Sequence, residues 1–159
     1  MRQNRALQDF FETNRMKLFG YLLKMTGNRE DAEDIFQDTF IKYAGHYPDQ
    51  QNPALLYTVA RSLFLDMVRK RRHEKDSDAE PATEESPESL VIEKAAENRL
   101  LGMFARLPKE DRDILSMAGQ DGLSYKQIAE ILHMSEANVK IKVHRARIKL
   151  KKMTEAEDE

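Results

Sequence analysis

The sequence predicts an all-α fold of two small helical domains joined by a flexible acidic linker, with a helix-turn-helix in the second domain. Three observations carry this prediction. Apolar residues recur at steps of three and four along most of the chain, which is the spacing of one face of an α-helix. No stretch alternates apolar and polar residues for long, so almost no sheet is expected. One acidic segment with two prolines has almost no large apolar residue before Leu90, and it cannot bury enough surface to offset its loss of entropy.

The composition is that of a polar chain without thiols. Charged residues make up 34% of the 159 residues, and there is no cysteine. Disulfides and thiolate metal sites are therefore excluded, and a reducing compartment is expected. No N-terminal apolar stretch is long enough for a signal peptide or a membrane span, so we expect a cytoplasmic protein without membrane insertion. No nucleophile–base pair or glycine-rich phosphate loop supports an enzyme, and we expect no cofactor, no metal and no small-molecule substrate.

The first predicted domain comprises residues 1–73 and contains three helices. Gly27 suits the end of the first helix, because glycine readily adopts the left-handed conformation. Glu30 and Asp31 fall in the first turn of the second helix, where the helix dipole favours acids. Apolar spacing predicts the three helices over about residues 1–25, 29–45 and 54–72.

Charge is distributed unevenly along the chain. Residues 74–97 contain nine acids and two lysines, whereas residues 123–153 contain eight Lys or Arg and two Glu. The acidic block includes the predicted linker at residues 74–90. A short acidic tail at residues 155–159 is expected to fray. Because the two blocks have opposite sign, the net charge of −2 conceals a strongly cationic segment near the end of the chain.

The second predicted domain, residues 91–154, contains the helix-turn-helix. Ser124 and Gln127 have the spacing of a capping box, in which each side chain binds a free amide of the other residue. Ser135 is expected to cap the following helix. His133 stands in the break between the two helices, where a positive φ is common, and histidine tolerates that conformation better than most residues. Two earlier helices are predicted over about residues 90–106 and 109–118.

The last helix combines an apolar stripe with many cations. Its inward stripe is predicted to be Val139, Val143, Ala146 and Leu150. A helix-turn-helix lays its second helix in the DNA major groove, so the pattern predicts DNA binding. A solvated basic face on an ordinary helix is the alternative interpretation. One outward flank is predicted to carry Lys140, His144 and Arg147, and the other Lys142, Arg145 and Lys149.

Three segments together resemble a bacterial alternative sigma factor of the extracytoplasmic-function (ECF) group. The segment "GNREDAEDIFQDTFIKYA", residues 27–44, is similar to the sigma region-two helix that docks on RNA polymerase. The segment "LLYTVARSLFLDMVRKRR", residues 55–72, is similar to the part that melts and binds the minus-ten element. The segment "LPKEDRDILSMAGQDGLSYKQIAEILHMSEANVKIKVHRARIKL", residues 107–150, looks like region four, which binds the minus-thirty-five element.

The resemblance implies a protein that binds core RNA polymerase and promoter DNA. The polymerase-binding face would contain Asp34, Gln37, Asp38 and Ile41, an acidic rim around an aliphatic contact. A merely solvated acidic face is the plain alternative. A metal site at Asp31, Asp34 and Asp38 is a further one, because these acids share a face.

The same resemblance assigns residues to each promoter element. Tyr57 could instead pack in the core, and Ile141 could either touch a thymine methyl group or be half-buried. Ser62 stands where the family often has Asn, so unusual minus-ten bases are expected. The minus-ten residues would be Tyr47, Asn52, Tyr57, Arg61, Ser62, Arg69, Arg71 and Arg72. The minus-thirty-five residues would be Ser135, Asn138, Lys140, Ile141, Lys142, His144, Arg145 and Arg147.

Two further hypotheses compete with a sigma factor. A conventional repressor or activator would use the same helix-turn-helix as a dimer, without polymerase. A metal-dependent nuclease would use the three aspartates named above. Sigma factors of this group are commonly held by an anti-sigma partner, and the sequence does not identify one. The sequence also leaves open how the two domains are placed relative to each other.

Overall fold

A computed structural model describes residues 2–77, 95–119 and 122–157 of the chain. Every regular element in these residues is an α-helix, so the predicted all-α class is confirmed there. The helices are α1 (Arg2–Thr26), α2 (Arg29–His46), α3 (Pro53–Ser77), α4 (Ala95–Arg106), α5 (Lys109–Met117), α6 (Tyr125–Leu132) and α7 (Glu136–Glu157).

The first domain is built from α1, α2 and α3, which pack against one another. Gly27 has a φ of 67°, and this left-handed residue ends α1 so that the chain can turn into α2. Asn28 caps α2 by accepting a hydrogen bond from the amide of Asp31 at 3.2 Å. Edge-to-face aromatic pairs fill the space between α1 and α2, with the rings of Phe11 and Phe40 centred 4.3 Å apart.

The second domain is built from α4 to α7, with α5 and α6 both packed on α7. Val139, Val143 and Ala146 are fully buried, which confirms the predicted inward stripe of α7 at these three positions; Leu150 is partly buried. The steps of four and three keep these side chains on one face of the helix. The helix that the promoter hypothesis places in DNA is therefore held firmly along one side.

The helix-turn-helix has the local geometry that its sequence predicts. The Ser124 hydroxyl accepts from the Gln127 amide at 3.1 Å, and the Gln127 side chain accepts from the Ser124 amide at 2.9 Å. His133 adopts a left-handed conformation with a φ of 55° and closes α6. Ser135 then accepts from the Asn138 amide at 3.1 Å at the start of α7. Two caps and one left-handed residue thus set the angle between the helices.

Two helices extend further than the sequence predicts. Helix α3 continues to Ser77, four residues into the segment assigned to the linker, because Glu74 and Lys75 favour helix and no Pro or Gly intervenes. Helix α7 continues to Glu157, through most of the tail that was expected to fray. The Thr154 hydroxyl donates to the Leu150 carbonyl at 3.1 Å there. The remainder of the predicted linker and residues 90–94 lie outside the described residues.

The two domains are in contact, and α1 is the element they share. It packs against α2 and α3 on one side and against α4 and α5 on the other, while α3 packs against α6. Buried side chains of both domains consequently form one continuous apolar cluster. Among the described residues, no helix is both long and apolar enough to cross a bilayer.

Replacing Ser124 by alanine should lower the stability of the helix-turn-helix. The substitution removes the hydroxyl that accepts from the Gln127 amide, which typically costs about 1 kcal/mol. For a chain of this size the thermal midpoint should fall by roughly 2–4 °C, measured by circular dichroism. Lys126→Ala, an exposed change in the same helix, is the control and should leave the midpoint nearly unchanged. An unaltered midpoint in Ser124→Ala would show that the box contributes nothing.

Candidate nucleic-acid interface

One face of α2 presents an apolar side chain surrounded by polar ones. Ile41 is 72% exposed, and Asp34, Gln37 and Asp38 are exposed beside it. The opposite face of α2 contributes Ala32, Ile35, Thr39 and Tyr43 to the core. The structure therefore brings together the four residues of the predicted polymerase face. An exposed isoleucine within an acidic rim is typical of a protein-binding surface, where the apolar centre is buried on association.

Asp31 does not belong to that exposed face. Both of its carboxylate oxygens accept hydrogen bonds from the Arg71 guanidinium, each at 2.7 Å, and its side chain is largely shielded from solvent. The hydrogen bond to Asp31 raises the pKa of Arg71. This paired geometry joins the start of α2 to the end of α3. The proposed metal triad loses Asp31 to this ion pair, and the described residues contain no cluster of three or more groups able to hold a metal.

The basic end of α3 is only partly free to contact DNA. Arg71 was predicted to bind phosphates, but its guanidinium is already held by Asp31. Arg69 makes only a loose exposed contact with Asp66, at 3.8 Å. Arg72 is exposed as well. Arg71 thus orients the end of the helix, while Arg69 and Arg72 present their charge to solvent.

A small cavity lies where the end of α2, the following loop and α3 meet. Its volume is about 230 Å³, below the range of roughly 300–1,000 Å³ typical of sites for drug-sized ligands. Two predicted minus-ten residues, Tyr47 and Ser62, line it. Lys42 lines it too and was missed by the sequence reasoning. Its position one helical turn before His46 could have revealed it, because residues four apart share a helix face.

Asn52 supports the loop rather than facing the cavity. Its side-chain oxygen accepts from the amide of Ala54 at 3.0 Å, at the start of α3. The backbone amide of Asn52 donates to the Tyr43 hydroxyl at 3.3 Å. That hydroxyl in turn donates to the Gln50 carbonyl at 2.8 Å. Asn52 therefore helps to shape the loop through its side-chain oxygen, while its exposed side-chain NH2 group leaves the predicted minus-ten contact a prediction.

Tyr57 and Arg61 are both occupied within the folded chain. Tyr57 is 2% exposed, with its ring centre 5.2 Å from that of Tyr21, so in this structure it packs in the core, the alternative that the sequence left open. Burial raises the pKa of Tyr57, consistent with its apolar surroundings. Arg61 donates from Nε to a carboxylate oxygen of Asp113, in the second domain, at 2.8 Å. This bond occupies one of the five N–H groups of Arg61, and 30% of its side chain is exposed.

The cations of α7 divide into a set bonded to other parts of the second domain and a free, outward-facing edge. The Lys142 ammonium donates to Glu110, the Lys149 ammonium donates to Asp111 at 2.6 Å, and Arg147 donates to the Ala118 carbonyl at 3.3 Å. These bonds fasten α7 to α5 and to the residue that follows it. Lys142 and Lys149, seven residues apart, share one flank of α7, while Arg147 lies on the other flank of the buried stripe, in line with the predicted division.

The free edge of α7 carries the remaining candidates for reading base edges. Lys140, His144 and Arg145 are exposed, and Ile141 is 48% exposed, so its side chain remains accessible to a thymine methyl group. Ser135 uses its hydroxyl as a cap, while Asn138 is exposed in the first turn. These positions form one outward surface at the start of the recognition helix. Together with the apolar face of α2, these positions are typical of a DNA-binding protein that also has a protein-binding surface.

Sequence-family models match both helical domains. The model described as "Sigma-70 region 2" matches residues 10–74, and that described as "Sigma-70, region 4" matches residues 97–150. The ECF RNA polymerase sigma factor SigL of Mycobacterium tuberculosis is 31% identical over 88% of this chain and 84% of its own length. The chain therefore belongs to the ECF sigma-factor family of RNA polymerase.

A second relative and a solved structure agree with this membership. The ECF sigma factor SigE of Mycolicibacterium smegmatis is 31% identical over 85% of this chain, and the match spans 56% of SigE. The sigma factor RpoE, in a co-crystal with the anti-sigma factor NepR from Bartonella quintana, superposes with a TM-score of 0.69. That match covers 93% of this chain and 98% of RpoE at 24% identity, so it shows a shared fold.

Arg71→Ala should loosen the end of α3 without disturbing the core. The ion pair with Asp31 is the bond that joins this end to α2, and since Arg71 is about half exposed its loss should cost only about 0.5–1 kcal/mol. Hydrogen exchange followed by mass spectrometry should show faster exchange in the last two turns of α3. Arg72→Ala, which removes the same charge from the neighbouring exposed residue, should not. Equal protection in both variants would rule out the positioning role of Arg71.

Proposed function

We propose that this protein is an alternative sigma factor, which binds core RNA polymerase and directs it to specific promoters for transcription initiation. The observation that carries the proposal is the presence, in one chain, of an apolar face edged by acids on α2 and a free cationic edge on α7. A protein that links an enzyme to DNA needs two such surfaces. The two sigma regions match the two halves of the chain in that order.

The polymerase would be bound by the exposed face of α2, which consists of Asp34, Gln37, Asp38 and Ile41. Burying the exposed isoleucine supplies apolar contact energy, and the surrounding carboxylates guide the approach of a basic partner surface. The core-facing residues of the same helix hold this face rigid, so little ordering is required on binding. A merely solvated acidic face does not require an isoleucine that is mostly exposed.

The minus-ten element would be recognised at the cavity between α2 and α3. Tyr47 offers a ring, Ser62 a hydroxyl and Lys42 a cation around a space smaller than most ligand pockets. Such a set suits a single extruded base and its phosphate. Arg69 and Arg72 would hold phosphates of the upstream duplex, and Asn52 and Arg71 would keep the loop and the helix in position.

The minus-thirty-five element would be bound by the free edge of α7. Lys140 and Arg145 can reach phosphates or guanine edges, and His144 and Ile141 lie between them on the same surface. Ser135 and Asn138, at the start of α7, would lie near the DNA backbone, because amides at a helix N-terminus favour phosphate. Lys142 and Arg147 would act mainly by keeping α7 seated on α5.

The proposal extends to domain boundaries, location and partners. We keep the division into two domains joined by an acidic linker, with the first domain ending where α3 ends, at Ser77, and the second extending to the end of α7, at Glu157. The protein would act in the cytoplasm without catalytic chemistry of its own, since members of the family are regulatory. An anti-sigma protein would be its antagonist, by analogy with the RpoE–NepR co-crystal.

Run-off transcription with purified core polymerase on a promoter library tests the proposal directly. Transcripts that depend on adding this protein are expected. A repressor or activator would instead dimerise and bind promoters without polymerase, and that hypothesis leaves the exposed face of α2 unused. Failure to bind core polymerase, with any antagonist removed, would refute the proposal.

Asp38→Arg should abolish or strongly weaken polymerase binding. A cation in place of the carboxylate repels the basic partner surface that the acidic rim requires, and charge reversal of this kind commonly reduces affinity by about 100-fold or more. Binding is measured by fluorescence anisotropy of the labelled protein with core polymerase. Glu12→Arg makes the same charge change on an exposed part of α1 and should bind normally. Normal binding by Asp38→Arg would show that this face is not the docking surface.

The double variant Lys140→Ala, Arg145→Ala should weaken promoters that depend on the minus-thirty-five element while sparing polymerase binding. If both cations contact phosphates, the slope of log affinity against log salt should fall by about two. Gel-shift titration over a salt series with reconstituted holoenzyme measures this slope. Arg5→Ala with Lys17→Ala, two exposed cations of α1, is the matched control. An unchanged slope would exclude these side chains from the DNA interface.

A further inference from the structure

Two lysines on one flank of α7 are paired with two carboxylates of α5. The Lys142 ammonium donates to the Glu110 carboxylate, and the Lys149 ammonium donates to Asp111 at 2.6 Å. Only 30% of the Lys142 side chain and 14% of the Asp111 side chain are exposed, so each pair has one member that is partly shielded from the ions of the solvent. Each bond therefore cancels one positive charge of α7.

The two acids are placed by the start of α5. Glu110 and Asp111 both lie in the first turn of this helix, where the helix dipole favours negative charge. Because α5 packs directly on α7, two adjacent acids can reach two lysines that are about two helical turns apart. The pairs are therefore set by the packing of the two helices as well as by the flexible lysine side chains.

The fold depends on these pairs only to a small extent. Val139, Val143 and Ala146 are fully buried and hold α7 in the second domain through apolar packing. Glu110 is mostly exposed and Lys149 is half exposed, and ion pairs at the surface contribute little to stability. Beyond this modest contribution to the seating of α7, the pairs change the charge that the helix presents to DNA.

The paired lysines are neighbours of a free cation on the outward surface. Arg145 stands three residues after Lys142 and four before Lys149, so the three side chains are adjacent on the helix surface. Arg145 is exposed and has no acid partner within the described part of the chain. A duplex that contacts Arg145 would bring its phosphates close to both lysines, which are already bonded to carboxylates.

Cations beside the recognition surface raise the affinity for DNA of any sequence. Each lysine that neutralises a phosphate adds about 0.9 to the slope of log affinity against log salt. Two such lysines would increase the loss of affinity between about 50 and 200 mM salt by a further factor of about ten. This contribution is the same on every sequence, because phosphates carry no base information. It would bind the protein to the large excess of non-promoter DNA in a cell.

We propose that Glu110 and Asp111 act as built-in substitutes for DNA phosphates: they hold Lys142 and Lys149 and so limit the part of DNA binding that does not depend on sequence. Arg145 and the rest of the free edge stay available to the promoter, so a larger share of the affinity comes from the residues that can reach base edges. The inference rests on the proposed function, in which α7 enters the major groove.

The salt dependence of duplex binding tests this inference. The full-length protein is titrated by fluorescence anisotropy against a labelled duplex of random sequence, over about 50 to 200 mM salt. Glu110→Gln with Asp111→Asn keeps the shape of both side chains and removes the charges that hold the lysines. The slope of log affinity against log salt should become steeper by about 1.8, with tighter binding at the lowest salt. Binding that is measurable only in this variant would also support the inference, whereas an unchanged slope, or no binding by either protein, would refute it.

Two further variants separate released lysines from a general loss of negative charge. Glu130→Gln with Glu155→Gln removes two exposed acids of the same domain that pair with no lysine among the described residues, so its slope should stay close to that of the parent. Adding Lys142→Met and Lys149→Met to the amide variant should abolish its gain in slope. A gain that survives these additions, or an equal gain in the control, would show that the lysines are not responsible.

The result can be read even if one variant fails to fold or if the proposed function fails. Circular dichroism identifies a misfolded variant, and Glu110→Gln alone, a change at a mostly exposed side chain, then tests the inference with an expected change in slope of about 0.9. No polymerase takes part in the titration. Failure of the parent protein in run-off transcription would therefore refute the proposed function while leaving the slopes in force, and unchanged slopes would refute the role of the two acids alone.

Discussion

The whole structure depends on the burial of α1 between two sets of helices. Leu18, Tyr21 and Leu22 have almost no exposed surface, because α2 and α3 cover one side of the helix and α4 and α5 cover the other. If α1 had only one apolar stripe, it could pack against the helices of one domain but not against those of the other. The apolar residues of α1 therefore do more than close a three-helix core: they determine that the second domain has a surface to rest on.

Local chemistry could be predicted from the sequence wherever neighbouring residues decide the outcome. The capping box of Ser124 and Gln127, the cap at Ser135 and the left-handed His133 each depend on a few adjacent positions, and all are present. The inward stripe of α7 followed from helical spacing alone. The ends of α3 and α7 were placed too early, because acidic composition was taken as a sign of disorder although the residues themselves favour helix.

The long-range pairs could not be predicted, for a physical reason. Helical periodicity gives the angle at which a side chain leaves its helix, and it does not give the neighbouring helix that the side chain meets. Arg71, Arg147 and Lys142 looked like free cations, yet each is bonded to a group far away in sequence. For the same reason, the positions of Lys42 at the cavity and of Asp113 at the domain contact could not be predicted, because both depend on which residues of other helices pack around them.

The ion pair of Asp31 and Arg71 bears on how such a protein measures its promoter. This pair ties the first turn of α2 to the last turns of α3, in addition to the packing between the two helices. The basic end of α3 is therefore linked directly to the helix that carries the acid-edged face. If the α2 face docks on the enzyme and the basic end of α3 holds duplex DNA, as proposed above, this ion pair helps to set the distance between them, and variation in promoter spacing is absorbed in the reach between the two halves of the chain.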